Sequence, residues 1–346
     1  MKVDIILPVG NKGGVENVIN LVSDYFCKRG IEIRIIQLIG ETRTWQTESA
    51  SCFFIFQNRE GLSLELFIHG LYEFYTQNSM PDIILATSWP ILSYVCKQAT
   101  NYKVKVISWI HNSLDQCITA KRGGLEELSY ADAHWAISRD IFDQYTKKFQ
   151  PENIHLVFNP IEKTGYALEK ANNNNILLYV GRIDDVKRVD FILVILAVCK
   201  NWKLRIVGDG EKEFVASLKQ LSAQINVDSR VEWVGWSSDP WQYACDATAL
   251  VLASEYEGFP MVALEALSVG IPVISNHSSG TNEYIINDYN GYIYENENLV
   301  DISNYLLDLE TGVREIPKPS DCRQSVEKYY LSTICENMIQ ILNTYV

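Results

Sequence analysis

The feature that most constrains the fold is a repeated alternation of short apolar runs with segments of helical period. Runs such as KVDIILP, IEIRIIQLI and DIILA alternate with amphipathic segments at 15–29 and 138–148. Short runs rich in Val and Ile indicate buried strands, and an apolar period near 3.6 residues indicates a helix. Because parallel strands need crossover connections, the alternation predicts an α/β fold built on parallel sheets.

The alternation is interrupted once, by the polar segment NPIEKTGYALEKANNNN, after which a second series begins with NILLYV and continues through KLRIVG and IPVIS. A chain of 346 residues suits two domains of roughly 150 residues each. We therefore predict two Rossmann-like doubly wound domains facing across a cleft, at 1–160 and 161–322. Residues 323–346 are expected to form a C-terminal helix that crosses back to the first domain.

Composition narrows the class further. The chain is 47% hydrophobic and 21% charged, which is ordinary for a globular protein. The longest purely apolar run is FILVILAVC, nine residues, whereas a membrane span needs roughly 20. The N-terminus is expected to be a strand rather than a signal peptide, so a cytoplasmic protein is the default expectation. The eight cysteines contain no C-x-x-C pair, which excludes metal or redox sites of that type.

The net charge of −13 is unevenly distributed. Residues 1–160 hold 15 Lys and Arg against 17 Asp and Glu, a net charge of −2, so −11 falls on the remainder. An acidic chain argues against nucleic acid as a partner. Basic residues of the first half either solvate a surface or support peripheral association with the inner face of a membrane. They are Lys103, Lys105, Lys121, Arg122, Lys147 and Lys148.

Several candidate residues follow predicted strands, where open α/β sheets bind their ligands. Gly13 and Gly14 precede a helix whose first amides suit an anion, although a tight turn explains them equally well. His111 is expected either to meet a sugar hydroxyl or leaving group, or to be satisfied by local backbone. Gly208 would bring the backbone close to a ligand, and the main chain near Val234 would read a base edge.

The segment GRIDDVK places two cations after the first strand of the second series. Arg182 and Lys187 can converge on one anionic ligand, Arg as a fork and Lys as a point charge. The alternative is surface pairing with Asp184 and Asp185.

The segment EYEGFPMVALEALSVGIPVIS carries two glutamates eight positions apart. Proline and glycine signals predict a helix over 260–269, so Glu257 precedes the helix and Glu265 lies inside it. Apart from Ser268, the neighbours of Glu265 are apolar, and a buried carboxylate needs partners that a pair of ligand hydroxyls would supply. The alternative is a structural salt bridge for Glu265 and a solvated Glu257.

The start of this helix completes a set of groups that suits a nucleoside diphosphate. The amides of Phe259, Met261 and Val262 point to where a diphosphate would rest. With two cations for the phosphates, a carboxylate for the ribose and backbone for the base, each part of the ligand has a partner. The sequence contains no D-x-D pair, so the cations and the helix dipole would stabilise a departing diphosphate, and neither a metal nor another cofactor is implied.

EGFPMVALEALSVGIPVI, an E-x7-E pattern, together with GRIDDVK, resembles the retaining family-4 glycosyltransferases of the two-Rossmann GT-B fold. The similarity covers nearly the whole chain. Within that family SWIHNSLD, VFNPIE, NWKL and VGWSSDPW most resemble the lipopolysaccharide 1,6-galactosyltransferase group and its relatives in surface-glycan clusters.

The resemblance implies an acceptor-binding domain at 1–160 and a nucleotide-sugar-binding domain at 161–322. A hexose, galactose or glucose, would pass from a UDP-sugar to a hydroxyl of a glycan, lipid-linked or glycoprotein acceptor, with retention of configuration. A non-catalytic GT-B partner subunit and a nucleotide-sugar epimerase are the alternatives. Where the family often has glycine after the lysine, this chain has Arg188, so either cation of 187–188 could meet the phosphate.

The residues and the resemblance together assign roles within the site. His111 and Glu257 are the catalytic candidates, meeting the donor sugar near the reacting carbon. The diphosphate is assigned to Gly14, Arg182, Lys187, Met261 and Val262, the donor sugar and its loop to Gly13, Gly258, Phe259 and Pro260, the ribose to Glu265, and the base to Gly208 and Val234.

Overall fold

The structure is a computed structural model that describes residues 1–10, 13–58, 60–111, 114–255, 257–277, 280–295 and 297–346. The chain forms two compact units: unit 1 comprises 1–161 and 329–346, and unit 2 comprises 162–328. The sequence-based boundaries were 160 and 322. Residues 323–328 fall in unit 2, where helix Pro319–Ser325 packs against helix Met261–Val269.

Unit 1 is built on a seven-stranded parallel sheet of order β3-β2-β1-β4-β5-β6-β7. Its strands are Lys2–Leu7 (β1), Glu32–Ile39 (β2), Ser51–Phe56 (β3), Ile83–Thr87 (β4), Lys105–Ile110 (β5), Ala133–Ala136 (β6) and Ile154–Leu156 (β7). The helices that connect these strands are, in chain order, Gly14–Lys28 (α1), Leu64–Gln77 (α2), Ile91–Ala99 (α3), Leu114–Thr119 (α4), Leu125–Leu128 (α5) and Arg139–Thr146 (α6).

The central strands of the unit 1 sheet are buried on both faces, and a charged pair lies between two of them. Asp4 of β1 and Arg34 of β2 stand opposite each other in the parallel register, and their side chains are 0% and 4% exposed. Arg34 donates two hydrogen bonds of 2.7 Å to the Asp4 carboxylate, and the Tyr75 hydroxyl donates a third, also 2.7 Å. Burial raises the pKa of Asp4, and these bonds oppose that shift.

Unit 2 is built on a six-stranded parallel sheet of order β10-β9-β8-β11-β12-β13. Its strands are Ile176–Val180 (β8), Lys203–Val207 (β9), Val231–Gly235 (β10), Ala249–Leu252 (β11), Val273–Asn276 (β12) and Gly291–Tyr294 (β13). Its helices are Val189–Val198 (α7), Lys212–Gln224 (α8), Met261–Val269 (α9), Leu299–Thr311 (α10) and Pro319–Ser325 (α11).

The last helix of the chain, Leu331–Leu342 (α12), belongs to unit 1, where it packs against α1. The Tyr25 hydroxyl of α1 donates a 2.7 Å hydrogen bond to Glu336 of α12. Ile161 and Tyr330 form a parallel bridge that ties the end of the first segment of unit 1 to the start of the second.

Both sheets reverse their strand order at one point, between β1 and β4 in unit 1 and between β8 and β11 in unit 2. This reversal is the mark of a doubly wound sheet, and ligands bind beside it at the carboxyl ends of the strands. The predicted α/β class with two Rossmann-like sheets is confirmed.

Candidate functional site

The loop that follows β8 lies at the order reversal of unit 2 and carries both predicted cations. The Tyr179 hydroxyl donates to the carbonyl of Arg182, and the Asp184 carboxylate accepts from the Lys187 amide at 3.2 Å. The Arg182 side chain is 74% exposed, and its Nη2 lies 3.3 Å from Asp184 Oδ2. The surface pairing weighed above is therefore present, and it leaves most of the guanidinium open to a ligand.

The loop that follows β11 meets this one through an ion pair. Lys187 Nζ lies 2.6 Å from Glu257 Oε1, and the two side chains are 22% and 13% exposed. The backbone also joins the two loops, since the Glu255 amide donates to the Val186 carbonyl at 2.8 Å. The structure thus brings together a diphosphate candidate and a sugar candidate that the sequence treated separately.

Helix α9 begins one residue later than predicted. Pro260 has φ −69° and ψ 100°, an extended conformation, so it is the N-cap rather than the first helical residue. Gly270 ends the helix in the left-handed region with φ 101°, as predicted. Met261 and Val262 occupy the first turn, where amides have no acceptor within a helix.

The segment between Glu257 and α9 is fixed by residues that follow β12. The Tyr284 hydroxyl donates to the Pro260 carbonyl at 3.0 Å, and the Tyr284 ring meets that of Phe259 edge to face at 5.6 Å. A Cβ on Gly280 would lie 2.8 Å from the Gly258 carbonyl oxygen, so only glycine allows this approach. The first turn of α9 is therefore held in place without a ligand.

Glu265 lies inside α9 and titrates near neutral pH. Burial raises the pKa of its carboxyl to about 7, and a hydrogen bond from Trp241 acts in the opposite direction. In the part of the chain that the structure describes, neither Lys nor Arg pairs with it. The structural salt bridge considered as the alternative is thus not found there.

The glycines beyond β8 and β9 serve close packing between neighbouring loops. A Cβ on Gly208 would lie 1.8 Å from the Gly181 carbonyl oxygen, and one on Gly210 would lie 2.0 Å from that of Ile183. The sequence predicted close approach to a ligand, whereas the approach seen is to backbone. Val234 falls at a bulge, because Trp233 pairs with Ile206 and Gly235 with Val207. Its main chain is therefore outside the regular ladder, and the assignment of Gly208 and Val234 to a base stays a prediction.

The unit 1 candidates lie at the carboxyl ends of β1 and β5. Gly13 is the extended N-cap of α1, and a Cβ on Gly14 would meet no atom within 4 Å in the described chain. The preceding residues of this turn, 11 and 12, lie outside the described ranges. His111 is buried, with its ring 4.6 Å from that of Trp109. Burial lowers the pKa of His111 to about 3, so the imidazole is neutral and serves as a donor or acceptor rather than a cation.

Comparison with known proteins places these features in a family. The family described as glycosyl transferases group 1 matches residues 161–328. Lipopolysaccharide 1,6-galactosyltransferase of Escherichia coli K12 is 30% identical over 291 residues, 80% of this chain and 78% of that protein. The chain belongs to the group 1 glycosyltransferases.

Solved structures extend the match of this glycosyltransferase to both units. The apo form of the lipopolysaccharide outer core galactosyltransferase WaaB aligns over 100% of both chains, with 26% identity and a TM-score of 0.84. Anabaena HepE in complex with UDP and glucose aligns over 99% of this chain and 100% of that one, with 17% identity and a TM-score of 0.82. The second likeness concerns the fold alone. The predicted family and its GT-B fold are confirmed.

The described residues of this glycosyltransferase contain neither a candidate metal cluster nor a candidate membrane span. No three His, Cys, Asp or Glu side chains among them gather into a group that could hold a metal ion. Within the same ranges, no helix has the length and apolar character of a membrane span.

Three aromatic residues that support the site of this glycosyltransferase were not found from the sequence. Tyr179, Trp241 and Tyr284 bind the Arg182 loop, Glu265 and the Pro260 carbonyl, respectively. In the sequence each of the three resembles a core residue. What distinguishes them is that each is a Tyr or Trp at or beyond the end of a strand. The hydroxyl or indole N–H of such a residue needs a hydrogen-bond partner when it is buried, so this position indicates a supporting role.

Proposed function

We propose that this glycosyltransferase moves a hexose, galactose or glucose, from a UDP-sugar to a hydroxyl of a glycan acceptor, with retention of configuration and without a metal or other cofactor. The observation that carries the proposal is the Lys187–Glu257 pair beside the exposed Arg182, at the order reversal of unit 2. A hexose donor is supported by the galactosyltransferase at 30% identity, and UDP by the HepE complex.

The donor diphosphate would bind to two cations and a helix start. Arg182 is accessible, and Lys187 can exchange part of its contact with Glu257 for a phosphate oxygen. The amides of Met261 and Val262 add donors with the favourable end of the helix dipole. These groups supply the positive charge that a bound cation would otherwise provide, which is the basis of the proposed metal independence.

The Lys187–Glu257 ion pair would also orient the Glu257 carboxylate toward the donor sugar. The Glu257 carboxylate, held by Lys187, would accept hydrogen bonds from hexose hydroxyls, with Gly258, Phe259 and Pro260 lining the loop. Glu265 would accept from the ribose hydroxyls. In unit 1, Gly13 and Gly14 are proposed to approach the sugar and diphosphate through backbone, and neutral His111 to hydrogen-bond the donor sugar.

We favour same-face attack for the chemical step. The bond between the anomeric carbon and the diphosphate oxygen breaks, the acceptor oxygen bonds to that carbon on the same face, and the acceptor proton passes to the departing phosphate oxygen. Retention by double displacement would need a free carboxylate as nucleophile. Glu257 is held by Lys187 and Glu265 is assigned to ribose, so positioning and charge stabilisation are the roles left to the enzyme.

The acceptor is proposed to be a glycan of a surface polysaccharide, a lipopolysaccharide or a glycoprotein. The name of the galactosyltransferase relative supports the second class. The basic residues of unit 1 are proposed to favour an acceptor presented at an anionic membrane surface.

The first test is donor turnover by the purified protein in EDTA. UDP-galactose, UDP-glucose and UDP-N-acetylglucosamine are supplied separately, and released UDP is measured. One hexose donor should be hydrolysed slowly, and Arg182→Ala and Glu257→Ala should abolish this, while Lys170→Ala, an exposed cation of unit 2, should not. Turnover that appears only with a divalent cation would overturn metal independence. Failure of every donor would overturn the UDP-hexose assignment.

A further inference from the structure

A groove of about 340 Å³ lies on the surface of unit 1 beside helices α2 and α3. This volume falls within the roughly 300–1,000 Å³ that is typical of small-ligand sites. The described residues that line the groove are mostly polar: Glu65, Ile68, His69 and Tyr72 of α2, Gln98 of α3, and Asn101, which follows α3. None of them was assigned to the UDP-sugar, so the groove is a separate feature of the surface.

Two tyrosines with exposed rings border this groove. Tyr72, which lines it, is 41% exposed, and Tyr102 is 56% exposed. Gln98 Nε2 donates a 2.6 Å hydrogen bond to the Tyr102 hydroxyl, which holds the Tyr102 side chain beside the groove. Single exposed aromatic side chains are common, but two at one groove indicate a surface that a ligand covers.

The backbone that carries Tyr102 is strained. Asn101 and Tyr102 are consecutive residues in the left-handed region, with φ of 49° and 60°. The Asn101 amide donates to the Gln98 carbonyl at 3.1 Å, and the Tyr102 amide donates to the Lys97 carbonyl at 2.9 Å. Asparagine tolerates this conformation, whereas a tyrosine adopts it at a cost that glycine would avoid. The ring at 102 is therefore not required by the turn itself, and strain of this kind is concentrated at functional sites.

The groove has the groups that bind an uncharged sugar. A hexose ring has faces of C–H groups, which pack on an aromatic ring, and hydroxyls at its edge, which donate and accept hydrogen bonds. The side-chain amides of Gln98 and Asn101 and the Glu65 carboxylate offer both kinds of partner. Within the described lining there is neither Lys nor Arg, and His69 Nε2 lies 3.6 Å from Glu73 Oε1. An anionic ligand would therefore find no free cation among these residues.

We propose that this groove is a second carbohydrate-binding site, which holds a neutral hexose unit of the acceptor glycan other than the one that receives the transferred sugar. The inference rests on the proposed function, since it takes the acceptor to be a glycan. The rings of Tyr72 and Tyr102 would pack on the C–H faces of the sugar, and Glu65, Gln98 and Asn101 would hydrogen-bond its hydroxyls. A second contact of this kind raises the effective concentration of a polymeric acceptor at the enzyme.

Calorimetric titration of the full chain with three oligosaccharides tests this site. Maltohexaose and β-1,4-galactohexaose are neutral probes, and hexagalacturonate is an anionic one. The wild type should bind at least one neutral hexamer more tightly than hexagalacturonate. Tyr72→Ala and Tyr102→Gly should each weaken that binding by roughly 2- to 10-fold. Leu66→Ala removes another side chain of α2 that is 41% exposed but lies outside the groove lining, and it should leave the affinity unchanged.

Tyr102→Gly also separates the loss of the ring from misfolding. Glycine relieves the left-handed backbone, so the Tm of this variant should be no lower than that of the wild type while its glycan affinity falls. A lower Tm together with weaker binding would mean that Tyr102 supports the turn, which would overturn its role in binding sugar.

The groove and the donor assignment fail separately, because slow hydrolysis of a UDP-hexose needs no glycan. If the wild type binds no neutral hexamer, the second site is wrong, whether or not a donor is turned over. If Tyr72→Ala and Tyr102→Gly bind the hexamer as the wild type does, the sugar lies elsewhere and the groove assignment is wrong. Tighter binding of hexagalacturonate would overturn the neutral class. A change of oligomeric state in Tyr72→Ala with unchanged glycan affinity would make the groove an interface between copies instead.

Discussion

Units 1 and 2 share one sheet topology but place their ion pairs differently. In unit 1 the Asp4–Arg34 pair joins neighbouring strands inside the sheet and is almost fully buried. In unit 2 the Lys187–Glu257 pair joins two loops beyond the strand ends and is partly exposed. The first pair is enclosed by the fold, and the second is accessible to a ligand. The same charge chemistry is therefore structural in one unit and a candidate for function in the other.

The two units also differ in the pKa of the titratable group that each contributes to the proposed site. Burial holds His111 of unit 1 neutral, with a pKa of about 3, and gives Glu265 of unit 2 a pKa of about 7. Unit 1 thus offers a side chain whose charge does not change near neutral pH. Unit 2 offers one that does.

The largest effect is expected on the stability of unit 1. Arg34→Met leaves the Asp4 carboxyl buried without its cation, which should lower the free energy of unfolding by about 3–5 kcal/mol. Urea unfolding followed by circular dichroism measures this loss. Replacing both partners, Asp4→Leu with Arg34→Met, should recover much of it. A loss below about 1 kcal/mol for Arg34→Met would show that the buried pair is not structural.

The corresponding change in unit 2 should affect activity rather than stability. Lys187→Met removes a cation from the departing diphosphate, so kcat/KM should fall by roughly 100- to 1000-fold. The free energy of unfolding should change by only about 1 kcal/mol, because the pair is partly exposed. Lys2→Met is the matched control, since its side chain is 19% exposed and its pair with Glu32 at 3.0 Å lies on unit 1. If the two variants were equally active, the claim that the ion pair of unit 2 is functional would be wrong.

A smaller effect is expected in the pH dependence of donor affinity. An ionised Glu265 accepts hydrogen bonds from ribose more strongly than a protonated one, so UDP-glucose affinity should rise roughly fivefold as pH rises through about 7. Titration at pH 5.5 to 8.5 measures this, with a donor whose diphosphate diester stays ionised throughout. Glu265→Gln should flatten the profile, whereas His111→Asn should leave its midpoint unchanged. If His111→Asn instead abolished the transition near pH 7, the titration would belong to His111 and not to Glu265.

The same shift affects folding with a defined sign. The folded-state pKa of Glu265 lies above its ordinary value of 4.5, so the folded protein holds the proton more tightly. This contribution to stability is complete below about pH 4.5 and is lost as pH rises through about 7. As pH rises from about 4.5 through about 7, the free energy of unfolding of Glu265→Gln should therefore increase relative to that of the wild type.

Local patterns were sufficient for the secondary structure around the site. The helix predicted at 138–148 is Arg139–Thr146, and the one predicted at 260–269 is Met261–Val269. Apolar period and the Gly270 stop act over a few residues, so they are visible in one sequence. Pro260 was misplaced by one position, because a proline suits both the first helical residue and the residue before it, and ψ decides between them.

The sequence by itself determined two doubly wound units, with cations and carboxylates in the loops after their strands, because strand and helix patterns are local. Tertiary structure alone decided which of these side chains meet. Lys187 and Glu257 are separated by 70 residues and pair across neighbouring strand ends, and Trp241 reaches Glu265 from another loop. It also decided that Gly208 is needed against the Gly181 carbonyl. Such contacts depend on strand order and loop packing, which one-dimensional spacing does not specify.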